Sequence, residues 1–194
     1  MSKKSGDYKE ISPSEFFYRN KELAGFDNPV KAIYTAVREL VENSLDSCEG
    51  IRVLPDIKVR IEEVDKKRKV YRIIVEDNGS GVPEENLPDC FGKILYGTKY
   101  SIKQQRGRFG LGAKLAILYG QMTVGHPVKV LSCTGDEKGV EMELMIDIEK
   151  NKPIIISKRY ISCGKWRGLK IEVTLKGDYP RARKKILELS LIHI

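Results

Sequence analysis

The chain has 194 residues, with 35 Lys and Arg against 27 Asp and Glu, a formal charge of +8 and 41% hydrophobic content. That suits a single globular domain with its own core, and no apolar run approaches the roughly 20 residues needed to span a bilayer. The positive excess fits a polyanionic partner such as nucleic acid or nucleotide, or ordinary solubility.

The first residues, MSKKSGDYKE, lack the apolar stretch of a secretory signal, which predicts an intracellular, cytoplasmic protein with no membrane partner. Residues 1–27 are polar apart from one aromatic patch, SEFFYRN, and read as an N-terminal arm or short helix that docks elsewhere. Asp27-Asn28-Pro29 is a helix start signal. From Val30 the positions of the apolar face, Ile33, Val37, Leu40, Val41, Ser44, Leu45 and Cys48, follow helical spacing, and Gly50 ends the run. DIKVRIEEV and VYRIIVEDNG alternate as strands around the charged turn Lys66–Lys69. Residues 83–106 are mixed, with short helical pieces. GLGAKLAILYGQ (110–121) reads as a helix entered through glycines. Four strand-like segments come next: VKVLSCTG, VEMELMIDIEK, KPIIISKRYIS and GLKIEVTLKG. YPRARKKILELS then reads as a basic helix that faces either solvent or DNA. This order predicts an α+β fold with an antiparallel or mixed sheet and helices on one face. Cys48, Cys90, Cys133 and Cys163 are isolated and form no CxxC pair, which argues against a zinc site and against a disulfide framework.

Three motifs carry chemistry. In RELVENSLDS (38–47), Glu39, Glu42, Asn43 and Asp46 gather on the polar side of the helix with no basic residue between them. Like charges three or four apart cost a few tenths of a kcal/mol on an exposed helix. The stripe is either a solvated face or a set of oxygen ligands for a hard cation and a general base. VEDNGSGVP (75–83) comes directly after a strand. Asp-Asn-Gly is also a hairpin signal, but the next segment, PEENLPDCF, starts a helix rather than a partner strand. Asp77 there suits a hydrogen bond from an exocyclic amine, and Gly79 and Gly81 let a flat ring approach the backbone. RGRFGLGAK (106–114) opens a helix with three glycines, as an anion site would. It is neither a Walker A loop nor G-x-G-x-x-G.

In that order and spacing, ELVENSLDS, DNGSGVPEENLPDCFGKILYGTKYSIKQQRGRFGLGAKLAILYGQ and the arm SPSEFFYRNKELAGFDNP resemble the GHKL superfamily of nucleotide-binding domains, which have the Bergerat fold. Within it the wording is most similar to the B subunits of type IIB DNA topoisomerases, the topoisomerase VI group. The resemblance implies a two-layer α/β sandwich, with a mixed, mostly antiparallel sheet and helices on one face. It implies an arm over 1–27, an ATP-binding domain over 28–188 and an atypical tail over 189–194, the family's spacer and transducer domains being expected beyond this chain.

By the same resemblance Glu39 polarises the attacking water and Asn43 coordinates Mg²⁺. Asp77 takes the adenine amine, with Gly79 and Gly81 beside the ring. Thr98 and Lys99 belong to a lid. Gly107, Arg108, Phe109, Gly110, Leu111, Gly112, Ala113 and Lys114 wrap the phosphates. ATP binding would join two B subunits and close a gate on double-stranded DNA, which the topoisomerase VI A subunit cuts. A lysine from the transducer would reach the γ-phosphate, so this chain is expected to bind ATP with little or no turnover. One departure is Leu169, where relatives carry a threonine near the adenine. A non-catalytic switch or scaffold on the same fold is the alternative, as is a chaperone or histidine kinase ATPase. His126 and His193, the only histidines, read as incidental.

Overall fold

The computed structural model describes residues 12–22, 24–94 and 111–192. In helix α1 (Pro13–Asn20) the Ser12 hydroxyl accepts the Glu15 N–H, and the aromatic patch sends Phe17 into the core. Phe17 meets Phe26 and Tyr119 at ring centroid distances of 6.2 and 6.3 Å. Helix α2 (Pro29–Gly50) begins on the expected signal. The Asn28 side chain accepts the Val30 and Lys31 N–H groups at 3.1 and 2.9 Å, and Pro29 takes the first turn, where no N–H donor is needed. Its buried face includes Ile33, Val37, Leu40, Leu45 and Cys48, as the spacing predicts.

Strands β1 (Lys58–Asp65) and β2 (Val70–Glu76) form the expected hairpin. The Asp65 carboxylate accepts the Arg68 N–H, and Lys69 adopts φ 53° to close the turn. A short 3-10 turn leads into α3 (Leu87–Gly92). Helix α4 (Gly112–Val124) starts two residues later than its sequence reading and runs three residues farther, to Gly125 in the left-handed region. Then come β3 (Val128–Cys133), β4 (Lys138–Asp147), β5 (Lys152–Ser162), β6 (Gly168–Lys176) and α5 (Tyr179–Ile192).

The six strands lie in the order β1-β2-β6-β3-β4-β5, and every pairing among them is antiparallel. The expected mixed sheet is thus refined to an antiparallel one, with helices on one face. That face carries Ile73, Val75, Val130, Met142, Leu144, Ile171 and Val173 under α2 and α4. Burying each such side chain contributes about 1.5–3 kcal/mol. The opposite face carries paired charges, including Glu62 with Arg60 and Arg72, and Glu141 with Lys129 and Arg159. Those pairs let one face of an antiparallel sheet stay in water.

One expectation fails. Cys133 and Cys163 form a disulfide across a sequence separation of 30, with Cα atoms 6.1 Å apart, while Cys48 and Cys90 are free. Local spacing misses this pair because the sheet, not the sequence, brings the end of β3 beside the exit of β5.

Candidate functional site

Asp77 ends β2 and is almost fully buried, at 2% exposure. Its Oδ2 accepts the Ser44 hydroxyl of α2 at 2.8 Å, and its Oδ1 accepts the N–H groups of Gly79 at 2.9 Å and Leu169 at 3.2 Å. A carboxylate offers about four lone-pair sites. Three are filled, all by donors, which leaves capacity for one external donor. Burial pushes the Asp77 carboxyl pKa up, against the opposing pull of those hydrogen bonds. Its backbone is fixed too: the Asp77 N–H donates to the Leu169 carbonyl at 2.9 Å, and the Asp77 carbonyl accepts the Trp166 indole N–H at 3.2 Å.

The glycines after Asp77 answer first to the protein's own atoms. A Cβ on Gly79 would strike Ser47 of α2, and one on Gly81, at φ +67°, would strike the Cys133 carbonyl. Ser47 Oγ also accepts the Ser80 N–H at 3.0 Å. Asn78 accepts the Asp56 N–H at 2.8 Å and donates to the Leu54 carbonyl at 2.9 Å, anchoring the loop after α2. The turn is therefore wedged between α2 and the end of β3.

Glu39 stands near the middle of α2, about one and a half turns before Ser44. Its carboxylate lies against the first residue of α4, so that a Cβ on Gly112 would overlap Glu39 Oε2. Asn43 sits one helical turn along from Glu39, on the same side of α2. The acidic stripe is not uncompensated as the sequence suggested. Arg38 donates to Glu39 Oε1 and lies 3.6 Å from Glu42, because its long side chain folds back over its own helix. Nor is the stripe a solvated face: the Glu39 and Glu42 side chains are only 14% and 17% exposed.

Leu111 precedes α4 without a capping side chain, so the first N–H groups of α4 depend on partners outside the helix. Ala113 and Lys114 are buried. Burial pushes the Lys114 pKa down to about 8, with Cys90, Asp89 and Lys93 as its titratable neighbours. Thr98, Lys99, Gly107, Arg108, Phe109 and Gly110 lie outside the described residues.

Helix α2 thus joins all three motifs, Glu39 reaching Gly112 while Ser44 and Ser47 reach the Asp77 turn. Sequence reasoning missed Ser44, Ser47, Asn78, Arg38, Trp166 and the Leu169 backbone. Ser44 and Ser47 had a readable signal, as polar residues on the inner side of a buried helix. Leu169 had none, since its N–H rather than its side chain does the work. A separate cleft of about 310 Å³, lined by Val82, Glu84, Ser132, Lys138 and Tyr160 among others, contains no predicted site residue.

Among the described residues no cluster of three or more His, Cys, Asp or Glu side chains is arranged to hold a metal alone. Mg²⁺ carried on phosphates needs only one or two protein oxygens, a demand that Asn43 beside Glu39 fits. No described helix is long and apolar enough to cross a membrane.

Residues 31–162 match the family described as histidine kinase-, DNA gyrase B-, and HSP90-like ATPase. The chain is 46% identical over 186 residues to the B subunit of type 2 DNA topoisomerase 6 from Sulfurisphaera tokodaii, covering 95% of this chain and 35% of that protein. It is 42% identical over 183 residues to the same-named protein of Saccharolobus islandicus strain Y.N.15.51, covering 93% and 34%. The chain therefore spans about a third of the length of these curated relatives. Among solved structures it resembles the ATPase region of Saccharomyces cerevisiae topoisomerase II, with TM-score 0.51 and 20% identity over 78% of this chain and 39% of that one, a likeness of fold.

Proposed function

Because the chain belongs to the histidine kinase-, DNA gyrase B-, and HSP90-like ATPase family, we propose that it is the ATP-binding region of a type IIB DNA topoisomerase B subunit. The observation that carries this is that α2, from its middle onward, meets both a buried acceptor at Asp77, through Ser44, and the glycine entry of α4, through the Glu39 carboxylate.

In this reading the Asp77 carboxylate accepts the adenine amine through its remaining acceptor capacity. The first N–H groups of α4 and the Lys114 ammonium attract the phosphates, together with residues 107–110, while Thr98 and Lys99 act from the lid. Asn43 holds Mg²⁺, which supplies charge neutralisation on the phosphates. Glu39 is the general base: Arg38 occupies Oε1, and Oε2 is the oxygen turned to the collar where water would be polarised. Phosphoryl transfer rests on such positioning more than on covalent chemistry. Residues 1–27 would serve as the arm of an ATP-dependent B-subunit pair in the cytoplasm, 28–188 as the nucleotide domain and 189–194 as its tail. Hydrolysis would be coupled to passage of double-stranded DNA in complex with the A subunit.

Titration calorimetry with a non-hydrolysable ATP analogue and Mg²⁺ tests the reading. One site per chain is expected; absence of heat at millimolar nucleotide would contradict it. Glu39→Ala is expected to keep that binding and remove any turnover the chain has, and an undiminished rate would remove Glu39 as the base.

A further inference from the structure

The connection from β5 to β6 has an unusual task. These strands are not neighbours, so residues 163–167 must cross the ends of β4 and β3. That distance is about three inter-strand spacings of roughly 4.8 Å each. The crossing carries Trp166 and Arg167 to the Asp77 turn, and delivers Gly168 and Leu169 to the start of β6. Gly168, at φ +145°, packs so closely under Asp77 that a Cβ would strike the Asp77 carbonyl. Apart from strand pairing, the ties between this crossing and the turn are long hydrogen bonds: Trp166 to the Asp77 carbonyl at 3.2 Å and Arg167 to the Ser80 carbonyl at 3.5 Å. Gly164, Lys165 and Arg167 are exposed.

The Cys133–Cys163 bond fastens the start of the crossing to the end of β3. The same strand end grips the other side of the purine turn. Ser132 Oγ accepts the Val82 N–H and donates to the Val82 carbonyl, both at 2.7 Å, and Gly81 abuts the Cys133 carbonyl. Gly139 packs against both sulfurs, leaving no room for a side chain. One covalent link therefore sits between the two walls that hold Asp77.

We propose that the Cys133–Cys163 bond is a positioning device for the purine end of the site: as a disulfide it clamps residues 163–167 against the Asp77 turn and supports tight nucleotide binding, and as a dithiol it releases them and weakens that binding. The proposal rests on Asp77 being the purine acceptor. The chemistry is exchange with a dithiol reductant. Its thiolate bonds to Cys163, the more exposed partner at 8% against 0%, and Cys133 leaves with the electron pair and takes a proton. The second thiol of the reductant then displaces Cys163 and closes the reductant's own disulfide. Two electrons and two protons pass from reductant to protein.

The protein contains one tryptophan, Trp166, so its emission reports this crossing directly. The test compares the oxidised chain, the chain reduced by dithiothreitol and Cys163→Ser. Each is assayed for thiols after denaturation, Trp166 emission, far-ultraviolet circular dichroism and affinity for a Mg²⁺-loaded non-hydrolysable ATP analogue. Two thiols per chain are expected before reduction and four after it. If reduction leaves about a tenth of the molecules clamped, the apparent Kd rises about tenfold, with changed Trp166 emission and unchanged circular dichroism. Cys163→Ser should match the reduced chain without reductant; should that variant not fold, the reduced wild type carries the comparison. Four thiols in protein never exposed to reductant would overturn the proposal. So would equal affinity and equal emission in the two states. Changed emission with no binding in either state would instead overturn the nucleotide reading beneath it.

Discussion

The candidate site has two ends along α2, one at Asp77 and one at Glu39, and they are built differently. At the Asp77 end, the carboxylate meets three protein donors, its backbone is tied to β6, and the neighbouring glycines are packed against Ser47 and Cys133. At the Glu39 end, one partly exposed arginine holds one carboxylate oxygen, and the other oxygen faces a glycine. The first end is finished before a ligand arrives, as recognition of a flat, uncharged ring requires. The second keeps its charge turned toward the place where an anion and its metal would complete it.

That contrast can be broken at its stronger end first. Asp77→Asn removes a buried charged acceptor and sets an amide among groups that all donate. A loss of about 1.5–3 kcal/mol, or roughly ten- to a hundredfold in affinity, is expected by calorimetry, with a lowered melting temperature. Next, Gly112→Ala places a methyl against the Glu39 carboxylate. It should cost about 1–3 kcal/mol by overcrowding and weaken nucleotide binding, although alanine is the better helix former. Unchanged affinity in that variant would mean that Glu39 and the collar do not share a site.

The two ends should also titrate apart. Asp77 must be ionised to accept an amine, and its pKa is raised by burial, so on acidification affinity should fall at a higher pH than an ordinary carboxylate would give. The folded state then holds that proton more tightly than the unfolded one, so the group's cost to stability at neutral pH is relieved by acid rather than deepened. Lys114 behaves oppositely. With its pKa near 8 it is charged at pH 7, and affinity for the polyphosphate should decline as pH rises through 8. Its lowered value means that the folded state binds the proton less tightly, so Lys114 costs stability below that pH and the cost fades above it. Lys114→Met should flatten the alkaline limb alone, which affinity profiles from pH 5 to 9 would reveal.

The smallest effect is expected at Arg38. Its pairs are partly exposed and screened, so Arg38→Met should change stability by no more than about 0.2–1 kcal/mol, read as a small shift in denaturant midpoint. A larger loss would show that the Glu39 end is as tightly built as the Asp77 end.

Much of this was legible in the sequence. The Asn28-Pro29 start, the alternation in β1 and β2 and the four later strands each rest on local signals, and the structure reproduces them. The three motifs were legible as candidates, and among the described residues α2 meets the Asp77 turn and the start of α4. What stayed hidden depends on three-dimensional neighbours. Leu169 holds Asp77 through a backbone N–H that its side chain does not advertise. Arg38 pairs with Glu39 and Glu42 of a stripe that a helical wheel shows as bare, because a wheel has no place for a side chain folding back. Cys133 and Cys163 meet over the start of β4, where Gly139 leaves room for both sulfurs, a neighbourhood that alternation cannot encode.

One nucleotide should bridge the Asp77 and Glu39 ends of the site along α2. A crystal structure of residues 1–194 with Mg²⁺ and a non-hydrolysable ATP analogue measures it directly. The account expects the adenine amine within hydrogen-bonding distance of the Asp77 carboxylate, and the γ-phosphate between Glu39 and the start of α4. A nucleotide seated in the cleft beside Glu84 and Tyr160, with Asp77 untouched, would contradict it.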